Sequence, residues 1–440
     1  MLARALQTTV IVALGVALGS GLLLGALGCE KTDHENIDRW SHTSKGPAKL
    51  LHAVSDDGLD PDLSAHAAAN LIKRDDDREV YAAFDAMPSA RRAQVIARLA
   101  PRLWQTARVE NERELPGKPQ VAAKDALVRI HKWADEPTRQ QISGYLIDWY
   151  CVASYEDRAR AGANQGAAVM RLVGPAAGKK LISVVNGVIA APGQDKRKNR
   201  IGDELLIGMA ASGNPEAAKY LLDIAHMDRG DPTLSTRALS ALFKAYVEPD
   251  GFAAADPEVL VPNLAAIVDI AKDDSMSGQA ANDAVALIRA IGAPRCLPPL
   301  LGMIAAPHRN ARFKYVVANN ALRCGGTKAI VDVVRALPDA GVYAKDELDG
   351  AISGEIARMT PRDQALAAAR ALVDDSSTVA RWVGIEALGA MKSTEDAPKI
   401  AALASRRERL VGYWGERGEG KSDPTLGQRA REISAQLGAK

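Results

Sequence analysis

Residues 374–400 read DDSSTVARWVGIEALGAMKSTEDAPKI, and this stretch decides the fold because it contains one complete structural unit. Its first four residues carry side chains that cap the N-terminus of a helix. Apolar residues then recur at the spacing of one helical face; they are Val379, Val383, Ala387 and Leu388. Gly389 suits a closing turn, and a second apolar stripe begins at Ala397. The unit is therefore predicted to be two short helices, neither of which can bury its apolar face alone.

The same unit recurs along the chain in degraded form. Three helix starts share the pattern Asp-Pro-x-Leu, at residues 60–63, 231–234 and 423–426. The other helix of the later units begins at turn-forming residues spaced 33, 35 and 33 residues apart, namely Gly292, Gly325, Thr360 and Ser393. This period is typical of two-helix solenoid repeats, in which stacked neighbours supply the core that each unit lacks.

At these residues the chain resembles the HEAT-repeat family, particularly its short bacterial form. The family pattern is an acidic turn, a Val-Arg pair, two small residues and a closing Ala-Leu-Gly. It is matched by Asp375, Ala380, Arg381, Gly384, Ile385, Ala387, Leu388 and Gly389. Ser64, Ser235 and Gly427 stand where the family often has arginine, which interrupts its internal arginine ladder. The resemblance implies an all-α fold, an α-solenoid in which antiparallel helix pairs form a right-handed superhelix.

The N-terminal segment predicts export. Residues 1–4 include an arginine, residues 10–27 form an uncharged apolar run, and the run stops at Gly28 and Cys29, where the chain turns polar. A short basic region followed by an apolar region and small residues predicts a secretory signal. Gly28 before Cys29 resembles the bacterial lipoprotein signal, which implies cleavage after residue 28 and lipid on Cys29. The alternative is an uncleaved membrane-spanning anchor, for which about 18 to 20 apolar residues suffice.

Either interpretation leaves the rest of the chain outside a membrane, attached to it at the N-terminus. Glu30 follows the cysteine in place of the aspartate that retains many lipoproteins at the inner membrane. The lipoprotein resemblance therefore implies a location in the bacterial cell envelope, facing the periplasm or the outside, with the outer membrane preferred.

Five segments are predicted from the composition along the chain. Residues 1–28 are the signal peptide and residues 29–45 are a polar tether. HEAT-like repeats occupy residues 46–157 at the N-terminal side and residues 201–440 at the C-terminal side. Between them, residues 158–200 are rich in glycine and alanine and contain a basic cluster, and they are predicted to connect the two sections.

Overall composition supports a helical array and excludes one class of partner. Of the 440 residues, 47% are hydrophobic but only 4% are aromatic, and the chain is rich in alanine, which suits many closely packed short helices. The formal net charge is only +2, from 56 basic and 54 acidic residues. A nucleic-acid partner is therefore not expected.

Catalytic and metal-binding motifs are absent from the sequence. The seven histidines are dispersed, without HExxH or the Cys/His spacing of a zinc site, and no GxSxG occurs. Most carboxylates stand at turns before helices, where N-capping accounts for them. The sequence thus predicts a protein that is not an enzyme and needs no metal or cofactor.

Binding residues can be proposed only from the repeat architecture. In the HEAT-repeat family the second helix of each pair lines a concave recognition face. Five residues follow similar helix starts and are candidates for that face: His66, Arg237, Gln279, Trp382 and Arg429. Each could equally be a solvated position or, for Trp382, part of the core.

The cysteines leave two interpretations open. If Cys29 is lipidated, three cysteines remain. Cys296 lies near the start of one predicted helix and Cys324 at the end of its antiparallel partner, so an oxidising envelope would permit a disulfide between them. The alternative is that both are small buried apolar residues.

The function predicted from these features is an exported, lipid-anchored HEAT-repeat scaffold that mediates protein–protein interaction in the bacterial cell envelope. Two alternatives come from other classes. One is an enzyme, or an accessory subunit of an enzyme, that acts on envelope polymer or lipid. The other is an inert structural spacer, which would have no stable partner.

Overall fold

The computed structural model describes residues 31–110, 114–190, 201–227, 232–306, 312–339, 342–413 and 422–438. In these residues the regular structure is helical, and the only strand-like pairings are isolated bridges between Val342 and Val411 and between Arg409 and Thr425. The signal peptide and Cys29 lie outside the described residues. The chain divides into two compact units, residues 1–106 with 132–138, and residues 107–131 with 139–440.

The first unit is built from five helices. They are α1 (His34–Ser41), α2 (Gly46–Ser55), α3 (Pro61–Lys73), α4 (Asp77–Ala86) and α5 (Ser89–Ala107). Helices α2 and α3 form a packed pair, and both α1 and α4 pack against that pair. The buried side chains between them are mostly alanine, leucine and isoleucine, so the helices approach closely.

The predicted tether is wrong over much of its length, because α1 lies inside residues 29–45. The Asp33 carboxylate caps this helix by accepting a hydrogen bond from the Asn36 amide at 3.0 Å. Ile37 and Trp40 are three residues apart, so they lie on one face, and both are buried. A polar segment with two buried apolar side chains is the first helix of the array, and not a linker.

Nineteen further α-helices of the described residues begin at or after residue 118. They are α6 (Lys118–Ile130), α7 (Glu136–Tyr150), α8 (Tyr155–Ala159), α9 (Gly166–Val173), α10 (Pro175–Ala190), α11 (Asp203–Ala211), α12 (Pro215–Met227), α13 (Pro232–Tyr246), α14 (Leu264–Lys272), α15 (Gly278–Ala290), α16 (Leu297–Ile304), α17 (Phe313–Gly325), α18 (Ile330–Arg335), α19 (Lys345–Leu348), α20 (Gly354–Arg358), α21 (Arg362–Val373), α22 (Thr378–Ala390), α23 (Ala397–Ala401) and α24 (Leu426–Gln436). Short 3₁₀ segments are His131–Trp133, Pro257–Asn263, Gly326–Ala329 and Thr394–Asp396, and Asp349–Ser353 forms a π turn.

Neighbouring helices of the second unit pack as pairs, which makes the fold an all-α solenoid. The pairs are α10 with α11, α12 with α13, α14 with α15, α16 with α17, α21 with α22, and α23 with α24. The second helix of one pair also packs on the second helix of the next, in the order α11, α13, α15 and α17. This row of second helices forms one side of the repeat stack.

The unit at residues 374–400 folds as predicted. Ser377 caps α22 by accepting a hydrogen bond from the Ala380 amide at 3.2 Å. The four apolar residues predicted to share one face are all fully buried. A Cβ atom at Gly384 would lie only 2.8 Å from the Val373 amide nitrogen and 3.0 Å from the Ala369 carbonyl, so glycine lets α21 and α22 approach closely.

The predicted connecting segment at residues 158–200 contains two helices, α9 and α10, and both pack against α11. Its glycines serve close packing. A Cβ atom at Gly178 of α10 would overlap the side chains of Ser212 and Asn214. The division between the two compact units falls instead after Thr106. Composition alone does not show whether a glycine lies in a flexible linker or at a helix contact, where the lack of a side chain lets a neighbouring helix pack closely.

Ion pairs connect adjacent repeats along the second unit. They include Arg237–Asp203 at 2.6 Å, Arg295–Glu258 at 2.7 Å, Arg323–Glu355 at 3.0 Å and Arg335–Asp375 at 2.7 Å. The partners lie 34, 37, 32 and 40 residues apart, which is about one repeat. Each arginine is partly exposed, so each pair contributes only about 0.2–1 kcal/mol.

Candidate binding cleft

A cleft of about 590 Å³ lies on the row of second helices in the second unit. One wall consists of Glu204 and Ile207 from α11, Ser240, Phe243 and Lys244 from α13, and Gln279 from α15. The opposite wall is the turn of residues 159–167, and residues 248–252 close one end. A concave, mixed polar and apolar surface of this size is typical of a ligand or side-chain binding site.

The turn of residues 159–167 is fixed by a buried ion pair. The fully buried Lys124 ammonium lies 2.6 Å from Asp125 Oδ1 and donates a hydrogen bond to the Ala161 carbonyl at 2.8 Å. Asp125 accepts hydrogen bonds from the Ala163 amide at 2.9 Å and the Asn164 side chain at 2.8 Å. Three contacts from two adjacent residues of α6 therefore hold this wall, two of them to its backbone and one to the Asn164 side chain.

Aromatic rings surround the buried lysine. Lys124 Nζ lies 5.2 Å from the centroid of the Trp149 ring and 5.4 Å from that of Tyr150. Burial lowers the pKa of Lys124, while the hydrogen bond to Asp125 opposes that effect. Burial likewise raises the pKa of Tyr150, so this hydroxyl stays protonated. The two rings therefore lie around the ammonium that bonds to the Ala161 carbonyl.

Inside the cleft, some charged side chains have an ion-pair partner and others have none among the described residues. Arg160 is paired with Glu156 at 3.3 Å and with Glu204 at 3.8 Å. Within the described residues, the side chains of Lys244, Glu248 and Asp250 have no hydrogen-bonding or ion-pair partner, and all three are exposed. The half-buried rings of Phe243 and Phe252 lie among them. The cleft thus presents unpaired charges next to apolar surface.

Asp283 is a buried carboxylate directly behind the cleft wall. Its Oδ1 atom accepts a hydrogen bond at 2.7 Å from Gln279, which lines the cleft. Its Oδ2 atom is buried and has no hydrogen-bond partner in the part of the chain that the structure describes. Burial, reinforced by the nearby charge of Glu248, raises the pKa of Asp283 to about 6 despite the hydrogen bond from Gln279.

Of the five residues that the sequence suggested for binding, only Gln279 lines this cleft. Arg237 lies on α13 but donates to Asp203 and to the Ile201 carbonyl, so it connects repeats. His66 belongs to the first unit, where its Nε2 atom lies 2.8 Å from Asp38 Oδ1.

Trp382 and Arg429 belong to the interior of the C-terminal repeats. Trp382 is fully buried and its ring lies 4.8 Å from that of Tyr413, which agrees with the core interpretation of this residue. The Arg429 side chain is only 13% exposed, and its guanidinium pairs with the buried carboxylate of Glu386 and, at 2.7 Å, with Glu432. Neither side chain is presented to a partner in this arrangement.

The structure joins Cys296 and Cys324 in a disulfide, with their Cα atoms 6.4 Å apart. The bond connects the residue that precedes α16 to the last turn of α17, so it closes one helix pair. The remaining described cysteine, Cys151, is buried, and burial raises the pKa of its thiol to about 12. It is therefore an unreactive core residue.

Among the described residues, no group of three or more His, Cys, Asp or Glu side chains is arranged to hold a metal ion. None of the helices described is both long enough and apolar enough to cross a bilayer.

No protein-family model matches the chain, and no curated protein matches it. Among solved structures, that of human deoxyhypusine hydroxylase in complex with glycerol is similar to it with a probability of 1.00. That match has a TM-score of 0.22 and 14% sequence identity, and it covers 78% of this chain and 96% of the other. A similarity this weak says nothing about the function of the present chain.

Proposed function

We propose that the chain is an exported, lipid-anchored scaffold of the bacterial cell envelope that binds a protein partner in the cleft between residues 159–167 and helices α11, α13 and α15. The observation that carries this proposal is the combination of unpaired charges and half-buried aromatic rings in a cleft whose opposite wall is held by the Lys124–Asp125 pair. Aromatic anchors beside charged groups, on a rigid surface, are typical of the centre of a protein interface.

The charges favour a basic side chain from the partner. Glu248 and Asp250 are unpaired carboxylates that line the cleft among the described residues. The carboxylate of Asp283 is buried behind the wall and adds negative charge nearby. Against them, in the part of the cleft that the structure describes, stands one unpaired cation, Lys244. A lysine or arginine that enters beside Gln279 would lie near these carboxylates and near two phenylalanine rings, and both kinds of group attract a cation.

Attachment to the membrane is proposed from the sequence of residues 1–29. The cysteine at the end of the apolar run accounts for an anchor without a membrane-spanning helix in the folded body. The charged and alanine-rich repeats would then extend from the membrane surface and present the cleft to envelope proteins. A preference for the outer membrane rests on Glu30 alone.

Site-specific crosslinking tests the cleft. A photoreactive amino acid at Ser240, in the cleft, should capture one recurrent protein in cells of the source bacterium. The same amino acid at the exposed Ser183, on the outer helix α10, is the matched control and should not capture it. Equal capture at both positions, or no recurrent protein at Ser240, would overturn the proposal and favour the inert spacer.

Charge reversal then tests the chemistry of the partner. Glu248→Lys with Asp250→Lys should reduce crosslinking from Ser240 at least tenfold, because the partner's cation would meet like charge. Asp269→Lys, on the outer helix α14, is the control and should leave the yield unchanged. Undiminished capture by the double variant would show that the partner does not insert a basic side chain here.

The anchor is tested separately. Mass spectrometry of the mature N-terminus should find a diacylglyceryl group on Cys29, and Cys29→Ser should release the protein from the membrane fraction. An intact residue 1 with continued membrane attachment would replace the lipid anchor by an uncleaved membrane-spanning anchor.

An enzyme acting on envelope polymer or lipid is the second candidate, and Asp283 is the observation that favours it. A carboxyl with a pKa of about 6 beside a cleft is suited to general acid–base catalysis. Asp283→Asn would abolish hydrolysis or transfer if this were its role, whereas a binding protein would show no turnover before or after the change. Incubation of the purified protein with envelope glycan and lipid fractions measures this directly.

A further inference from the structure

The cleft is closed at the end formed by residues 248–252. Gln165, on the opposite wall, contacts this loop, and its Oε1 atom would lie only 2.9 Å from a Cβ atom at Gly251. Gly251 has a φ of 77°, in the left-handed region that favours glycine. Arg171 of α9 donates a hydrogen bond of 3.2 Å to the Ala253 carbonyl and holds the end of the loop. A chain that enters the cleft therefore meets a barrier at residues 248–252.

Unpaired charges of both signs lie at or near this loop. Glu248 and Asp250 belong to the loop, and Lys244 lies on α13, four residues before Glu248. Helix α13 ends at Tyr246, and the Glu248 amide donates to the Phe243 carbonyl at 3.2 Å, so Lys244 and Glu248 do not share one helical face. Within the described residues, neither pairs with the other or with a third group. Both charges are therefore available to a ligand.

Apolar surface accompanies these charges. The half-buried ring of Phe243 directly precedes Lys244 in the chain, and that of Phe252 follows Asp250 by two residues. A ligand that matches all of these groups carries a carboxylate, a cation and an apolar stem between them. The side chains of lysine and arginine have such a stem, of three or four methylene groups.

A basic residue at a C-terminus combines the three features. Inside a protein chain, a lysine or arginine has the cation and the stem, but its carbonyl belongs to an uncharged peptide bond. At the C-terminus the same residue also has an α-carboxylate, which is ionised at neutral pH. A chain end also suits a cleft that is closed on one side and that, at about 590 Å³, has the size of a site for one small ligand.

We propose that the partner protein enters the cleft by its C-terminal residue, a lysine or an arginine. The side-chain cation of this residue pairs with Glu248 and Asp250, and its α-carboxylate pairs with Lys244. Its methylene groups lie against Phe243 and Phe252. This inference rests on the proposed function, because it names the part of the partner that the cleft binds.

Lys244 is the cation left for the α-carboxylate on the described surface of the cleft. The other cation there, Arg160, is already paired with Glu156 at 3.3 Å and with Glu204 at 3.8 Å. Replacing the α-carboxylate by an amide removes the pair with Lys244 and keeps the side chain of the ligand. We expect the affinity to fall about tenfold, because a hydrogen bond to a charged group contributes at least this much. Tenfold corresponds to about 1.4 kcal/mol.

Peptide binding to the purified full-length chain in detergent tests the inference. Fluorescein-labelled peptides that end in Gly-Gly-Lys or Gly-Gly-Arg are prepared with a free α-carboxylate and with a carboxamide, and binding is read by fluorescence anisotropy. The acid form of at least one peptide should bind about tenfold more tightly than its amide. A peptide that ends in Gly-Gly-norleucine keeps the carboxylate but lacks the cation, and it should also bind at least tenfold more weakly.

Lys244→Gln separates recognition of the carboxylate from recognition of the side chain. This variant should bind the acid and the amide equally, because the pair with Lys244 is what distinguishes them. Lys272→Gln, which replaces an exposed lysine of the outer helix α14, is the matched control and should keep the tenfold difference. Both lysines are exposed, so neither change removes a buried side chain, and circular dichroism melts verify that the variants fold.

The crosslinked product from Ser240 gives an independent readout. Mass spectrometry should place the crosslink in the C-terminal peptide of the captured protein. A crosslink in an internal segment, equal affinity of acid and amide, no binding of either form, or a difference that Lys244→Gln retains would each overturn the inference. Equally strong competition by free lysine would do so as well, since the cleft would then bind an amino acid. Recurrent capture at Ser240 would still support the proposed function in these cases, whereas absence of capture would overturn the proposed function itself.

Discussion

Replacing Lys124 with methionine is expected to loosen the cleft wall at residues 159–167 while leaving the helices in place. Methionine has nearly the same length and is compatible with the surrounding Trp149 and Tyr150 rings, so packing is largely retained. The change removes the ammonium that bonds to Asp125 and to the Ala161 carbonyl. The effect of Lys124→Met on stability therefore measures how much the ion pair contributes to holding the turn of residues 159–167.

The expected magnitude follows from these contacts. Removing one partner of a buried ion pair costs about 3–5 kcal/mol. Asp125 is 21% exposed and keeps its hydrogen bonds from the turn, which reduces that cost. The Ala161 carbonyl loses its donor, which adds about 1–3 kcal/mol if it stays buried. We expect a local destabilisation of about 3 kcal/mol, equal to roughly a 100-fold change in an opening equilibrium.

Hydrogen exchange read by mass spectrometry measures this change where it occurs. Peptides that cover residues 159–167 should lose roughly 100-fold in protection, most clearly at the Ala163 amide, which donates to Asp125. Lys118→Met, at the exposed start of the same helix, is the matched control and should change protection by less than threefold. Unchanged protection in Lys124→Met would show that the ion pair does not hold the turn.

Three further predictions concern the interior of the repeats. Arg429→Ala leaves the Glu386 carboxylate buried without its cation, so it should lower the free energy of unfolding in urea by about 3–5 kcal/mol. Adding Glu386→Gln should recover part of that loss. Equal stability of the unmodified chain and the two variants would contradict this prediction. Asp283 has a folded-state pKa raised to about 6 from 3.8, so the stability due to its neutral form is lost as the pH rises from about 4 to 6. Asp283→Asn should therefore be more stable by about 1–3 kcal/mol at pH 7 and not at pH 4, as melts at the two pH values will show. Replacing Cys296 and Cys324 together with alanine should cost about 2–4 kcal/mol, because the bond closes a loop of 28 residues, and a reducing agent should then have no further effect on the melt.

The fold was predictable because its determinants are local. The cap at Ser377 and the buried face that begins at Val379 follow from residues within one helix, and the repeat period shows that each unit must stack on another. The prediction of a tether at residues 29–45 was wrong for the opposite reason, because its outcome depends on distant residues. Ile37 and Trp40 are two apolar residues in a polar segment, and only the helices that cover them, brought there by the fold, make them core.

The cleft could not be predicted from sequence patterns. Its wall depends on Asp125 and Asn164, which are 39 residues apart in the chain, and no motif connects them. Asp283 was hidden because an aspartate in the middle of a helix usually faces solvent. The signal that could have revealed it is its position four residues after Gln279, which places the two side chains on one helical face.

The ion pairs between adjacent repeats have a consequence at the level of the gene. Arg237, Arg295, Arg323 and Arg335 each reach a carboxylate 32 to 40 residues away and no further. Deletion or duplication of one whole unit thus breaks partners at a single junction and leaves every other pair in register. Deletion or duplication of only part of a unit would shift the pairs out of register, so the altered segment must form a loop. Descendants of this gene are therefore expected to differ in length by steps close to the 33 to 35 residues of its own period.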